Sequence, residues 1–128
     1  MNKVYIATRL HNAARAQEIK EKLYALGIEI TYDWTKHGQV YSEEELRAFG
    51  EEEENGVRTC DVLLMIFPGG CGSHWEAGLA RGLNIPIVLL MEKEVEQKTF
   101  YYLDGVHQTK TEDEAIKKVL TLLGRSDV

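Results

Sequence analysis

Apolar positions along this chain switch repeatedly between a helical period and short, nearly continuous runs. Val4 to Ala7 is a compact apolar run after a polar start and predicts a first strand. Asn12 then offers an N-cap. Ala16, Ile19, Leu23 and Leu26 recur at helical spacing, and Gly27 sits where a helix ends on glycine. Ile28 to Trp34 is β-branched and aromatic and predicts a second strand, followed by a loop from Lys36 to Val40 with Gly38. Ser42 and Glu45 form a capping box for a helix running toward Thr59, with a kink or break expected at Gly50.

The second half repeats the alternation. Asp61 to Phe67 is almost wholly apolar, as a central strand buried on both faces should be. A glycine-rich turn leads into a helix from His74 to Leu83, and Pro86 to Met91 predicts a fourth strand. Glu92 to Asp104 predicts a loop with a short helix or irregular strand. Val106 to Thr109 is a candidate fifth strand. Thr111 and Glu114 cap a final helix whose apolar face is Ala115, Ile116, Val119, Leu120 and Leu123. Strands alternating with helices predict right-handed crossovers and a parallel sheet covered on both faces. The expected fold is an α/β, flavodoxin-like three-layer sandwich with five strands ordered 2-1-3-4-5. Its switch point lies between strands 1 and 3, so the loops Thr8–Asn12 and Pro68–His74 should share one crevice.

Length and composition change this picture little. The 128 residues suit one domain with one core. No apolar run approaches a membrane span, and the N-terminal stretch is too short and too polar for a secretory signal, so a cytoplasmic location is expected. Charge is more informative. The net charge of −6 is matched by Ser42 to Glu54 alone, with seven Glu and one Arg. That patch opposes binding of a nucleic-acid backbone, and its plainest explanation is a solvated helix face. Cys60 and Cys71 flank one strand, too far apart for a bridge, and free thiols are expected. The four histidines lack metal-ligand spacing, so no metal is expected.

Candidate chemistry gathers at the switch point. Glu76 follows the glycine turn and is expected in the first turn of its helix. One explanation is a helix-end acid favoured by the dipole by about 0.3–1 kcal/mol. The other is a carboxylate nucleophile or base that the same dipole keeps ionised. Gly78 would let the helix pack closely on its strand and hold the acid rigidly. Gly69, Gly70 and Gly72 let the backbone approach a ligand, and the helix N-terminus favours anions. The turn matches neither the phosphate-loop nor the dinucleotide fingerprint. Tyr5, Thr8, Arg9 and His11 line the other lip, and Arg9 is placed to hold an anion. Ser73 and His74 lie in the glycine loop, where they could donate to a phosphate or a ribose hydroxyl. Neither has a visible partner for a Ser-His-Asp triad.

Three segments, KVYIATR, ENGVRTCDVLL and GSHWEAGLARGLNIPIVLL, resemble the nucleoside 2-deoxyribosyltransferase family and its nucleotide-hydrolysing branch. The likeness runs from Lys3 to about Met91. It implies cleavage of the N-glycosidic bond of a 2-deoxynucleoside or its 5′-monophosphate. A glutamate, matched by Glu76, attacks the anomeric carbon to leave a covalent deoxyribosyl-enzyme. A second base or water then takes the sugar, in parallel with retaining glycoside hydrolysis. Tyr5 matches the tyrosine that places sugar and nucleophile. Glu53 matches the acid that faces the nucleobase, an aspartate in most of the family. Phosphate contacts fall on Arg9, His11 and Ser73. No cofactor is implied.

Two other functions share such a scaffold. One is a non-catalytic nucleotide-binding module. The other is an NAD-cleaving domain of the TIR type, which would release nicotinamide. The expected partner is a small nucleoside or nucleotide, with no nucleic-acid polymer and no membrane. A homodimer or larger homo-oligomer is expected, with Phe100, Tyr101, Tyr102 and the final helix packing between chains or over the chain's own sheet.

Overall fold

The computed structural model describes residues 1–39, 42–93 and 99–125. Five parallel strands form one sheet: β1 Lys3–Ala7, β2 Glu29–Ile30, β3 Val62–Ile66, β4 Ile87–Leu90 and β5 Val106–Thr109. Their order is β2-β1-β3-β4-β5, as expected. Four helices alternate with them among the described residues: α1 Ala13–Ala25, α2 Glu43–Thr59, α3 Cys71–Gly82 and α4 Glu112–Leu122.

Period-two alternation on β1 decides which side chains meet which layer. Val4 and Ile6 join the core built with Ile19 and Leu23 of α1 and Val119 and Leu120 of α4. Tyr5 and Ala7 face the other way, with Val57 of α2 and Ala77 and Ala80 of α3. Central β3 is buried along its whole length and feeds both cores. Each large aliphatic side chain so removed from water contributes roughly 1.5–3 kcal/mol. This alternation is why Tyr5, and neither neighbour, points at α2 and α3.

Helix ends follow the chain's own signals. Ser42 accepts the Glu45 N–H at 3.0 Å and Thr111 the Glu114 N–H at 3.2 Å. Gly27, at φ +78°, closes α1 with paired bonds, Gly27 N–H to Tyr24 C=O and Ile28 N–H to Leu23 C=O.

Several expectations need correction. The second strand does not run from Ile28 to Trp34; it stops at Ile30. Beyond it the Asp33 side chain accepts the Thr35 N–H and starts a 3-10 turn over Trp34–Lys36. The Trp34 indole donates to the Ile6 carbonyl at 2.8 Å, pulling the chain off the sheet edge. Helix α2 passes through Gly50 unbroken. Asn12 stands at the N-cap of α1, but its side chain makes no capping bond there. Its amide ties two loops together, donating to Thr8 Oγ1 at 3.0 Å and to the Pro68 carbonyl at 3.2 Å. Of the region after β4, Phe100–Tyr102 forms a 3-10 turn; residues 94–98, like Val40 at the end of the predicted loop, lie outside the described residues.

Candidate active site

Helix α3 starts at Cys71, three residues before the expected start, because Gly70 and Ser73 form the cap themselves. The Gly70 N–H donates to Ser73 Oγ at 2.6 Å, and the Ser73 hydroxyl donates to the Gly70 carbonyl at 2.9 Å. Gly69 is needed here, since a Cβ would lie 2.6 Å from Ser73 Oγ and 2.4 Å from Met65 Cε. Ser73 and His74 therefore belong to the first helical turn, not to a loop, and the Ser73 hydroxyl is buried.

The earlier start moves Glu76 as well. It is the sixth residue of α3, beyond the turn where the dipole acts. Its side chain is buried, with the residue only 5% exposed. The helix-end explanation fails on both counts. The Tyr5 hydroxyl donates to Glu76 Oε2 in a short hydrogen bond. The helix dipole is therefore not what would ionise this carboxyl. Burial pushes the Glu76 pKa up to about 8; the Tyr5 hydrogen bond opposes the rise, and the neighbouring Glu53 carboxyl adds to it. Tyr5 is pushed up too, first by burial and then by the Glu76 carboxylate, and so stays a hydroxyl donor. The nearness of Glu53 thus adds to burial in favouring the protonated form of Glu76.

Glu53 reaches this point because α2 lies close to β1. At Gly56 a Cβ would meet Tyr32 Cβ at 2.8 Å and the Tyr5 ring at 3.0 Å. Gly56 lies one turn beyond Glu53, so the close approach lowers Glu53 onto the site. The acidic run is mixed in consequence. Its early glutamates are solvated, whereas Glu53 and Glu54 are half-buried. Glu53, Glu76 and Gly72 line a cleft of about 370 Å³ with Arg47, Glu54 and Trp75. Trp75 is 68% exposed on its rim, and its indole donates to Glu54 Oε2 at 2.8 Å.

The other expected residues sit around the switch point. Thr8 is buried, and its hydroxyl donates to the Ile66 carbonyl at 2.7 Å, joining the ends of β1 and β3. Arg9 lies against the glycine turn, its Cβ 3.3 Å from where a Gly70 Cβ would be, and both Arg9 and His11 are exposed. His74 turns away from Glu76 to pair its Nδ1 with the Tyr101 hydroxyl. It lines a larger, more apolar cavity of about 480 Å³ across α3, with Phe100, Tyr101 and Leu103. Among the described residues its lining includes no carboxylate, whereas the smaller cleft is lined by several. Gly78 opens onto the larger cavity. A Cβ there would meet nothing within 4 Å, so it does not serve close packing.

Three positions escaped the sequence. Gly56 left one trace, a glycine inside an otherwise helical pattern. Trp75 was visible only as the residue beside Glu76. His37 left no trace, because it lies in the loop after β2. Its Nε2 meets the Tyr32 hydroxyl and its Nδ1 lies 3.7 Å from Glu53 Oε2. Among the described residues no cluster of His, Cys, Asp and Glu could hold a metal ion, and no helix is long and apolar enough to cross a membrane. Both cysteines are free, Cys60 buried and Cys71 exposed.

With this geometry in place, the family model for nucleoside 2-deoxyribosyltransferase matches residues 4–120. The chain belongs to the nucleoside 2-deoxyribosyltransferase family. Among solved structures, a 2-deoxyribosyltransferase from Bacillus psychrosaccharolyticus superposes with a TM-score of 0.69 at 18% identity, covering 88% of each chain. The Clostridium botulinum CMP N-glycosidase BcmB gives 0.61 at 21% identity over 91% of this chain and 97% of that one. BlsM gives 0.68 at 21% identity over 99% and 96%. At these identities the superpositions establish a shared fold. No curated protein matches the chain significantly. The family match spans every element of the cleft, from β1 with Tyr5 through α2 with Glu53 to α3 with Glu76.

Proposed function

We propose that the protein cleaves the N-glycosidic bond of a 2-deoxynucleoside or its 5′-monophosphate, with Glu76 as nucleophile. One observation carries this: a buried carboxyl on the cleft wall that accepts the Tyr5 hydroxyl and shares the cleft with a neighbouring carboxyl, Glu53. Retaining glycoside cleavage needs two carboxyls on one sugar, one ionised to attack and one protonated to assist departure.

The steps balance with the groups present. Glu76 carries a proton in the free protein and passes it to Glu53 before it attacks. A Glu76 oxygen attacks the anomeric carbon as the bond to the base nitrogen breaks, and the leaving base takes the Glu53 proton. Tyr5 donates to Glu76 and holds its orbital direction. Water then attacks the same carbon, frees Glu76 and returns a proton to Glu53; in a transferase an incoming base replaces the water. Arg9, with the free N–H groups at the start of α3, is the proposed seat of a 5′-phosphate. His11, Thr8, Gly70, Gly72, Ser73 and His74 remain proposed substrate contacts. Of these, Gly72 lines the cleft itself, and the hydroxyls of Thr8 and Ser73 are already engaged by backbone.

Incubating the protein with a panel of deoxynucleosides and their monophosphates tests the proposal. Free base should appear with at least one of them. Binding of nucleotides without release of base would replace the reaction with a binding function.

A further inference from the structure

The walls of the cleft continue into a second layer. His37 stacks on Phe49, with ring centroids 3.9 Å apart and planes 14° from parallel. Phe49 and Glu53 are four residues apart on α2, so the ring that clamps His37 and the carboxyl that faces it share one helix face. The Tyr32 hydroxyl meets His37 Nε2. Tyr32 itself is fixed where it packs on Gly56, beside the Tyr5 ring. A run of neighbouring polar groups thus leads from Tyr32 through His37, Glu53 and Glu76 to Tyr5.

We propose that His37, clamped by Phe49 and held by Tyr32, is the positioning residue that keeps Glu53 aimed at Glu76. The Tyr32 hydroxyl also lies within hydrogen-bond reach of Glu52, and its single proton serves one acceptor at a time; in the tautomer with its hydrogen on Nδ1, His37 presents that hydrogen to Glu53 Oε2. The separation of 3.7 Å is longer than a hydrogen bond and lies within electrostatic range. Such contacts tighten when substrate binds. Glu53 is a flexible acid at a cleft edge, and without this partner its carboxyl is free to swing toward solvent. Each carboxyl then has one outside partner, Tyr5 for Glu76 and His37 for Glu53. The other charged or titratable groups facing this layer are Glu52 and Asp33 near Tyr32, and Arg47, Glu51 and Glu54 around the cleft. The inference rests on the reading of Glu53 as the acid of the reaction.

The test compares wild type with His37→Ala, His37→Asn and Tyr32→Phe. For His37→Ala we expect kcat to fall roughly tenfold or more while KM stays nearly constant, since the loss falls on an acid–base group and not on binding. The alkaline limb of the kcat/KM profile should move to higher pH, because a carboxyl that loses a donor holds its proton more tightly. Asn keeps an N–H near the Nδ1 position and should recover part of both effects, and Tyr32→Phe should fall between. A loss of kcat with an unmoved profile, or no change in either, overturns the proposal. Carbon-13 titration of the Glu76–Glu53 pair in the free protein gives a second reading that needs no turnover. It should shift upward in His37→Ala, and an unshifted titration in a folded variant also overturns the proposal. A wild type that releases no base from any substrate removes the proposed function instead, a different result from either of these.

Discussion

The Tyr5 hydroxyl donates to Glu76 Oε2 across 71 positions of sequence, joining the second position inward of β1 to the middle of α3. Tyr5 is the group that draws Glu76 back toward ionisation against the effect of burial. Replacing Tyr5 with Phe removes only the oxygen. A charge-assisted hydrogen bond is worth about 1.5–3 kcal/mol, or roughly 10–100-fold in rate. Single-turnover base release should slow by that factor, and the acid limb of its pH profile should move up. A Tyr5→Phe enzyme with wild-type rate and profile would show that the bond does not govern Glu76.

The raised Glu76 pKa also predicts a stability change. The folded chain holds a proton up to about pH 8 that the unfolded chain releases near 4.5. Protons bound only in the folded state make stability fall as pH rises through that window. Glu76→Gln keeps the shape and an acceptor for Tyr5 but carries no charge. It should be the more stable protein at pH 8, by about 2–5 kcal/mol, with little advantage at pH 4.5. Thermal unfolding across this range measures it, and a stability difference that does not change with pH would be the contrary result.

Two helical glycines should respond in opposite directions to the same substitution. Gly56→Ala forces a methyl against Tyr32 and the Tyr5 ring and should cost about 1–3 kcal/mol, with a loss of activity as α2 lifts Glu53 away. Gly78→Ala meets open space in a helix interior and should stabilise by about 0.5–1 kcal/mol. Denaturant midpoints of the two variants decide the matter. Equal effects would mean that the approach of α2 to β1 is looser than described.

Arg9 separates nucleotide from nucleoside. If it seats the phosphate, Arg9→Ala should raise KM for a deoxynucleoside monophosphate about tenfold, the value of one charge-assisted contact. The parameters for the matching deoxynucleoside should hold. An equal effect on both would place the phosphate elsewhere.

The period of apolar residues carried the architecture, because five strands and four helices each bury a face that the chain must write into its pattern. The same alternation put Tyr5 on the α2–α3 side. Strand β2 was misjudged since Thr31, Tyr32 and Trp34 have β-forming side chains, while the contacts that end the strand, Asp33 to its own turn and Trp34 to Ile6, are tertiary or depend on one side-chain rotamer. The charge state of Glu76 was equally out of reach. A dipole can be read from position, but desolvation depends on what the rest of the fold places over a carboxyl. His37 comes from a loop with no period, and only the folded chain brings it to Glu53.

The central claim is a covalent bond between Glu76 and the sugar, and trapping that bond tests it most directly. A deoxynucleoside analogue with fluorine on the sugar's second carbon slows release of the sugar more than its capture. Peptide mass spectrometry after brief incubation should find one sugar unit on the peptide that holds Glu76, and none in Glu76→Ala. Release of base without any such adduct, or an adduct on another residue, would contradict the assignment of Glu76 as nucleophile.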